Sequence, residues 1–235
     1  MSVATATPPA DTTNATMLLE MIGASWMSQA ICVACELELP DHLAGGPRSP
    51  AELAADTQCN TASLHRLLRG LASLGLCTEQ TDGRYALTAT GALLQHGAEG
   101  GVRAWAVWWG RYLWPVWQDL KLSVQSGRSV REQTAGTRGY THIAADPAAA
   151  SVFNRAMVEL TQLVAGEFLR HYDCSALRRI VDVGGGHGAL LSTILHAHPQ
   201  IHGVLYDLPH AIDSTRTQLA NSALSTRMEC IAGSF

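Results

Sequence analysis

The chain has 235 residues, 47% of them apolar and 15% charged, with 20 acids against 16 bases. That length supports one or two domains with a buried core, and the apolar fraction excludes wholesale disorder. A formal charge of −4 without a Lys/Arg-rich block argues against a nucleic-acid or anionic-membrane partner.

Residues 1–13, rich in Ala, Thr and Pro, read as a tail and lack the basic start and apolar centre of a secretory signal. The apolar run Met21 to Cys35 is free of charge but only fifteen residues long, and it carries Ser25, Ser28 and Gln29. A spanning helix needs roughly 20 apolar residues, so none is expected and the location is read as cytoplasmic. A helix is predicted over about Ala15 to Glu38, with Leu18, Met21, Ile22, Met27, Ile31 and Leu37 placing apolar groups most of the way round it. Burial against a second copy of the chain, or within one large core, would account for that pattern. The cysteines agree with a reducing compartment. Cys32, Cys35, Cys59, Cys77, Cys174 and Cys230 are scattered, and the Cys32/Cys35 pair has no second pair to complete a zinc site. His196, His198 and His202 straddle a helix end and the next strand and read as surface residues, so no metal is expected.

Residues 49–97 carry the clearest local signals of the first half. Ser49-Pro50-Ala51-Glu52 is a capping box with Pro at the first helical position. A second helix follows over about Thr61 to Leu74, with Leu64, Leu67, Leu68, Leu71 and Leu74 at helical spacing and Gly75 as its stop. Thr81-Asp82-Gly83-Arg84 then separates two strand-like runs, a hairpin signal. Helix, helix, hairpin and a short helix make a winged-helix pattern. Its charges cancel: Arg48, Arg66, Arg69 and Arg84 against Glu52, Asp56, Glu79 and Asp82. A DNA reader draws much of its affinity from phosphate contacts, so a structural or dimerising role fits better.

Residues 98–172 are predicted helical. Trp105, Trp108, Trp109, Trp114 and Trp117 fall together there, either as packing or, for some, as the wall of an aromatic cavity. Asp146-Pro147 caps a long helix reaching about His171, with Phe153, Met157, Leu160, Leu163, Val164 and Phe168 along it.

From residue 180 the pattern changes. Ile180 to Val183 is a short β-branched strand followed at once by Gly184-Gly185-Gly186-His187-Gly188 and a helix from Ala189. A second strand, Val204 to Asp207, ends on an acid 21 residues past Gly186. Strand–helix repeats of this kind imply a parallel sheet with right-handed crossovers. Glycines after the first strand let backbone approach a ligand, and an acid at the second strand's tip can accept ribose hydroxyls. A nucleoside-containing cofactor is implied. Spacing alone leaves two open: Gly184-x-Gly186-x-x-Ala189 satisfies a dinucleotide fingerprint, and Gly184-x-Gly186-x-Gly188 is a methyltransferase pattern.

Resemblance separates them. Val181-Asp182-Val183-Gly184-Gly185-Gly186-His187-Gly188 with Tyr206-Asp207-Leu208-Pro209 resembles the S-adenosylmethionine-dependent O-methyltransferases of the plant caffeate and acetylserotonin type, and their bacterial natural-product branch. Gln29-Ala30-Ile31, Leu39-Pro40-Asp41-His42-Leu43, Arg66-Leu67-Leu68-Arg69, Leu87-Thr88 with Gly91, and Phe153-Asn154-Arg155-Ala156-Met157 are similar to further landmarks of that family. The resemblance implies an α/β fold: a helical and winged-helix dimerisation domain (14–97), a helical substrate-side region (98–172) and a Rossmann-like domain (173–235) showing its first three strands. It implies a homodimer that moves a methyl group from S-adenosylmethionine to a hydroxyl of a small aromatic acceptor. Cofactor contacts carried over are Asp182, Gly184, Gly185, Gly186, Asp207, Leu208, Ser234 and Phe235, with Ser234 replacing an acid usual in the family. Acceptor contacts are Phe153, Met157 and Trp108. The histidine base of the plant branch, and the fourth strand that completes the switch point, would both lie past Phe235. The chain is therefore expected to be a truncated product or one half of a pair, inactive alone and with no catalytic residue of its own. A non-catalytic dimerisation partner, a nicotinamide-dependent enzyme and a winged-helix regulator are the alternatives.

Overall fold

Ser49 shows how closely local chemistry sets the boundaries. Its Oγ accepts the amide of Glu52 at 3.3 Å while Glu52 Oε2 accepts the amide of Ser49 at 2.7 Å, so the helix opening at Pro50 has both orphan donors satisfied. The protein's structure, a computed structural model, describes residues 12–136, 143 and 145–234. These fall into two units, one running to Gln95 and including Trp109–Arg111, the other His96–Trp108 with Tyr112 onward.

The first unit contains α1 (Thr12–Gly23), α2 (Ser25–Glu36), α3 (Leu39–His42), α4 (Pro50–Thr57), α5 (Thr61–Ser73), β1 (Cys77–Glu79), β2 (Tyr85–Leu87) and α6 (Ala89–Ala92). Asn60 caps α5 by accepting the Ser63 amide at 3.0 Å. Strands β1 and β2 pair antiparallel, Cys77 opposite Leu87, around the Asp82-Gly83 turn. Leu39, Leu53, Leu68 and Tyr85 fill the core. The single helix predicted over Ala15 to Glu38 is instead two, broken at Ala24 just after the poor helix former Gly23. Helix α2 buries Cys32, Ala34 and Cys35, and Gln29 Nε2 donates to the Gly110 carbonyl at 3.0 Å. Helix α1 leaves Met17, Leu18, Leu19, Met21 and Ile22 exposed. Contrary to the expectation from the charge-free run, the 23-residue stretch 14–36 is long and apolar enough to cross a bilayer by length and composition alone.

The second unit begins with α7 (Arg103–Val107). The chain then runs through a π-helical stretch, Trp108–Leu113, to α8 (Trp114–Trp117), α9 (Leu120–Ser126) and α10 (Val130–Ala135). Helix α11 (Pro147–His171) is 25 residues long and is capped by Asp146, whose Oδ1 accepts the amides of Ala148 and Ala149 at 3.0 and 3.1 Å. Next come β3 (Arg179–Val183), α12 (Ala189–Ala197), β4 (His202–Asp207), α13 (Pro209–Leu219) and β5 (Met228–Ala232). The three strands are parallel in the order β3-β4-β5, with Asp182 opposite Leu205 and Leu205 opposite Cys230. Leu191, Leu195, Ile201, Leu205 and Ile212 form the core between the sheet and its helices. Val181 and Val183 of β3 are exposed. The register brings the C-terminal ends of β3 and β4 side by side, where a parallel sheet presents its binding crevice.

Candidate active site

The site is built at those two strand ends. After Val183 the chain bends through glycines that do different work. Gly186 has φ +56°, a conformation that L side chains rarely adopt. Gly185 has ordinary backbone, but a Cβ there would lie 2.5 Å from the carboxyl carbon of Asp182 and from Leu205 Cδ1. The bend therefore packs directly onto the Asp182 carboxyl.

Asp207, at the end of β4, is 8% exposed. Its Oδ2 accepts the Gly186 amide at 2.7 Å and its Oδ1 accepts the Leu208 amide at 2.6 Å. Charge-assisted bonds this short are the stronger kind, so the acid and the glycine bend are organised together. Asp182 differs. Its Oδ2 is buried with no hydrogen-bond partner among the described residues, and the same holds for His187 Nδ1. Burial pushes the Asp182 carboxyl above the usual aspartate value and the charge of Asp207 adds to this, while a bond from the Leu191 amide opposes it.

These groups form one wall of a cavity of about 360 Å³, lined by Asp182, Gly184, Gly185, Gly186, His187, Asp207 and Leu208. The other wall comes from α11 with Phe153, Asn154, Met157, Val158 and Thr161, joined by Ile143. Phe153 and Met157 thus lie across the cavity from the glycines. Trp108 is not among the lining residues. It is 4% exposed, stacks on Tyr112 at 5.1 Å and meets the Phe153 ring edge-to-face at 5.0 Å, so it backs that wall. Ser234 is also outside the lining; its carbonyl accepts the Tyr206 hydroxyl at 3.0 Å. Phe235 lies outside the described residues.

Thr161 was not read as a site residue from the sequence, although it stands one and two turns beyond Met157 and Phe153 and shares their helix face. Glu159 carried no signal at all. Its two carboxylate oxygens accept the amides of Ala104 and Trp105, each at 3.0 Å, capping α7 from a helix more than fifty residues away in the chain.

Two family matches span most of the chain. The O-methyltransferase dimerisation domain matches residues 19–96, and the O-methyltransferase domain matches residues 117–235. The chain belongs to the O-methyltransferase family. Among relatives of this O-methyltransferase chain, the phenazine O-methyltransferase PhzM of Lysobacter antibioticus is 35% identical over 93% of this chain and 64% of its own length. The crystal structure of LaPhzM superposes with a TM-score of 0.87 at 34% identity, covering 94% of this chain and 67% of that one. NcsB1, an O-methyltransferase from neocarzinostatin biosynthesis, was solved with S-adenosylmethionine and 2-hydroxy-5-methyl naphthoic acid. It superposes at 0.70 with 32% identity over 88% of this chain and 65% of its own. The chain thus spans a little under two thirds of the length of the Lysobacter relative. The first matched region takes in α2 and the helix–helix–hairpin unit, together with the C-terminal part of α1, so the apolar 14–36 stretch lies largely within a dimerisation domain. Neither a nicotinamide enzyme nor a DNA-binding regulator is favoured by these matches.

Proposed function

We propose that this protein transfers a methyl group from S-adenosylmethionine to a hydroxyl of a small aromatic acceptor. The observation that carries the reading is the cavity itself: two carboxylates and a glycine bend on one wall, an aromatic ring and a methionine on the other. S-adenosylmethionine, when bound, supplies a methyl group already activated by a sulfonium leaving group. The residues present fit it. Asp182 offers a buried oxygen that lacks a partner among the described residues, suited to the cationic methionine end. Asp207 keeps lone pairs beyond the two amides it accepts and can take ribose hydroxyls, with Leu208 beside it for the adenine face. Gly184, Gly185 and Gly186 bring backbone to the ligand. Ser234 and Phe235 are assigned to the adenine end through the family resemblance.

Phe153 and Met157 would hold an aromatic acceptor by stacking and sulfur contact, with Trp108 stiffening the Phe153 ring from behind. What the chain contributes is alignment of acceptor oxygen, methyl carbon and sulfur in a site that excludes water. The protein is read as a cytoplasmic homodimer, in keeping with its scattered cysteines and the apolar face of α1.

Calorimetric titration with S-adenosylhomocysteine tests the cofactor half, and incubation with labelled S-adenosylmethionine and a phenol tests the transfer. Micromolar binding of the former is the expected result. No uptake of either compound would end the proposal.

A further inference from the structure

Gly186 is held at both ends of its own residue. Its amide donates to Asp207 Oδ2 at 2.7 Å, and its carbonyl accepts from Thr215 Oγ1 at 3.2 Å. Thr215 lies on α13, 29 residues further along, and is 4% exposed. Helical threonines often bond back to the carbonyl four residues earlier, and Thr57, Thr134, Thr193 and Thr217 do so here. Thr215 lies 3.1 Å from its own such carbonyl, Ala211, but also reaches one outside its helix. A hydroxyl has one proton. The Ala211 carbonyl has a helical amide partner, whereas the Gly186 carbonyl has no backbone donor among the described residues. Leaving the one carbonyl of this part-buried bend without a protein donor is the more costly outcome, so the proton belongs on Gly186.

We propose that Thr215 is a positioning residue of the cofactor bend, fixing the Gly186 carbonyl while Asp207 fixes its amide. With both ends held, the left-handed conformation of Gly186 is maintained before any ligand arrives, and Asp207 can face the cavity without carrying the bend alone. The part of this inference that concerns cofactor affinity rests on the methyltransferase reading above; the clamp itself does not.

Two readouts on the full chain separate them: hydrogen exchange of the amides in the bend, and calorimetric affinity for S-adenosylhomocysteine. Thr215→Val keeps the shape and removes the hydroxyl. It is expected to speed exchange in the bend and weaken affinity, each by about tenfold, the scale of one lost hydrogen bond. Thr215→Ser restores the hydroxyl and should lie within about twofold of the wild type. Ile212→Val, on the same buried face of α13, should lower the thermal midpoint while leaving both readouts in place. If the valine variant does not fold, Thr215→Ala carries the same comparison. Unchanged exchange in the bend, or equal acceleration by Ile212→Val, overturns the clamp. Failure of the wild type to bind S-adenosylhomocysteine overturns the cofactor reading, and exchange then decides the clamp by itself.

Discussion

Asp182, the penultimate residue of β3, and Asp207, the last of the neighbouring parallel β4, face one cavity, and the charge of Asp207 adds to burial in raising the Asp182 carboxyl. The pair is asymmetric. Asp207 has two amide donors on it, whereas Asp182 keeps a buried oxygen without a partner among the described residues. One carboxylate is thus anchored by the bend, while the other holds an oxygen that nothing among the described residues satisfies.

That asymmetry gives a pH prediction with a definite sign. A carboxyl raised in the folded state binds more protons there than in the unfolded chain, so stability falls as pH rises through the folded value. Asp182→Asn should therefore stabilise the ligand-free protein at neutral pH, by about 1 kcal/mol. The gain should shrink as pH falls toward the ordinary aspartate value of 3.8. The same variant should lose most of its affinity for S-adenosylmethionine. Urea unfolding at pH 4.5 and 7.5 checks the first part; a variant less stable than wild type at pH 7.5 would contradict it.

Gly185 gives a steric prediction. A methyl group there meets the Asp182 carboxyl and the Leu205 side chain at 2.5 Å, and Leu205 is buried in the sheet and unable to retreat. Gly185→Ala should lower stability by about 1–3 kcal/mol, the usual cost of overpacking, and displace the carboxyl from the cavity. Thermal unfolding together with calorimetry on S-adenosylhomocysteine measures both effects. A variant with wild-type melting and affinity would show that the bend is looser than this geometry requires.

Legibility in the sequence followed the range of each interaction. The capping box at Ser49, the Asp146 cap and the Asp82-Gly83 hairpin are written within four residues, and the structure has each where the pattern places it. Asp182, the glycine bend and Asp207 were legible because two strand ends and one bend carry them all. Phe153 and Met157 were readable as positions, but only the fold sets them across the cavity from the glycines. Glu159 and Thr215 were not legible, since each acts on backbone far away along the chain and neither has a local pattern of its own. The break at Ala24 is not legible because the apolar run continues through Gly23, and a single glycine is only a weak helix breaker.

Glu159 should control the acceptor side without touching it. By capping α7 it fixes the turn from which Trp108 reaches the Phe153 ring. Glu159→Gln keeps one acceptor oxygen and should cost about 0.5–1 kcal/mol of stability; Glu159→Ala leaves both amides bare and should cost about 1–2 kcal/mol. Affinity for S-adenosylhomocysteine should hold in both variants, since the cofactor wall is untouched. Weaker binding of an aromatic acceptor, seen as reduced quenching of Trp fluorescence on titration, is the expected signature. Equal loss of cofactor and acceptor binding would point to general unfolding instead.

The exposed face of α1 makes the assembly testable. Ile22 is 73% exposed with Leu18, Leu19 and Met21 close by, and such a contiguous apolar surface is seldom left in water. The matched dimerisation domain begins at residue 19, within this helix. Ile22→Glu should place a charge in the interface and remove about 2 kcal/mol of apolar burial per copy, while changing nothing in the core of its own chain. Light scattering at micromolar concentration should give a dimer for the wild type and a monomer for the variant, with matching helical content by circular dichroism. A wild-type monomer under those conditions would mean that α1 is covered by some other part of the protein.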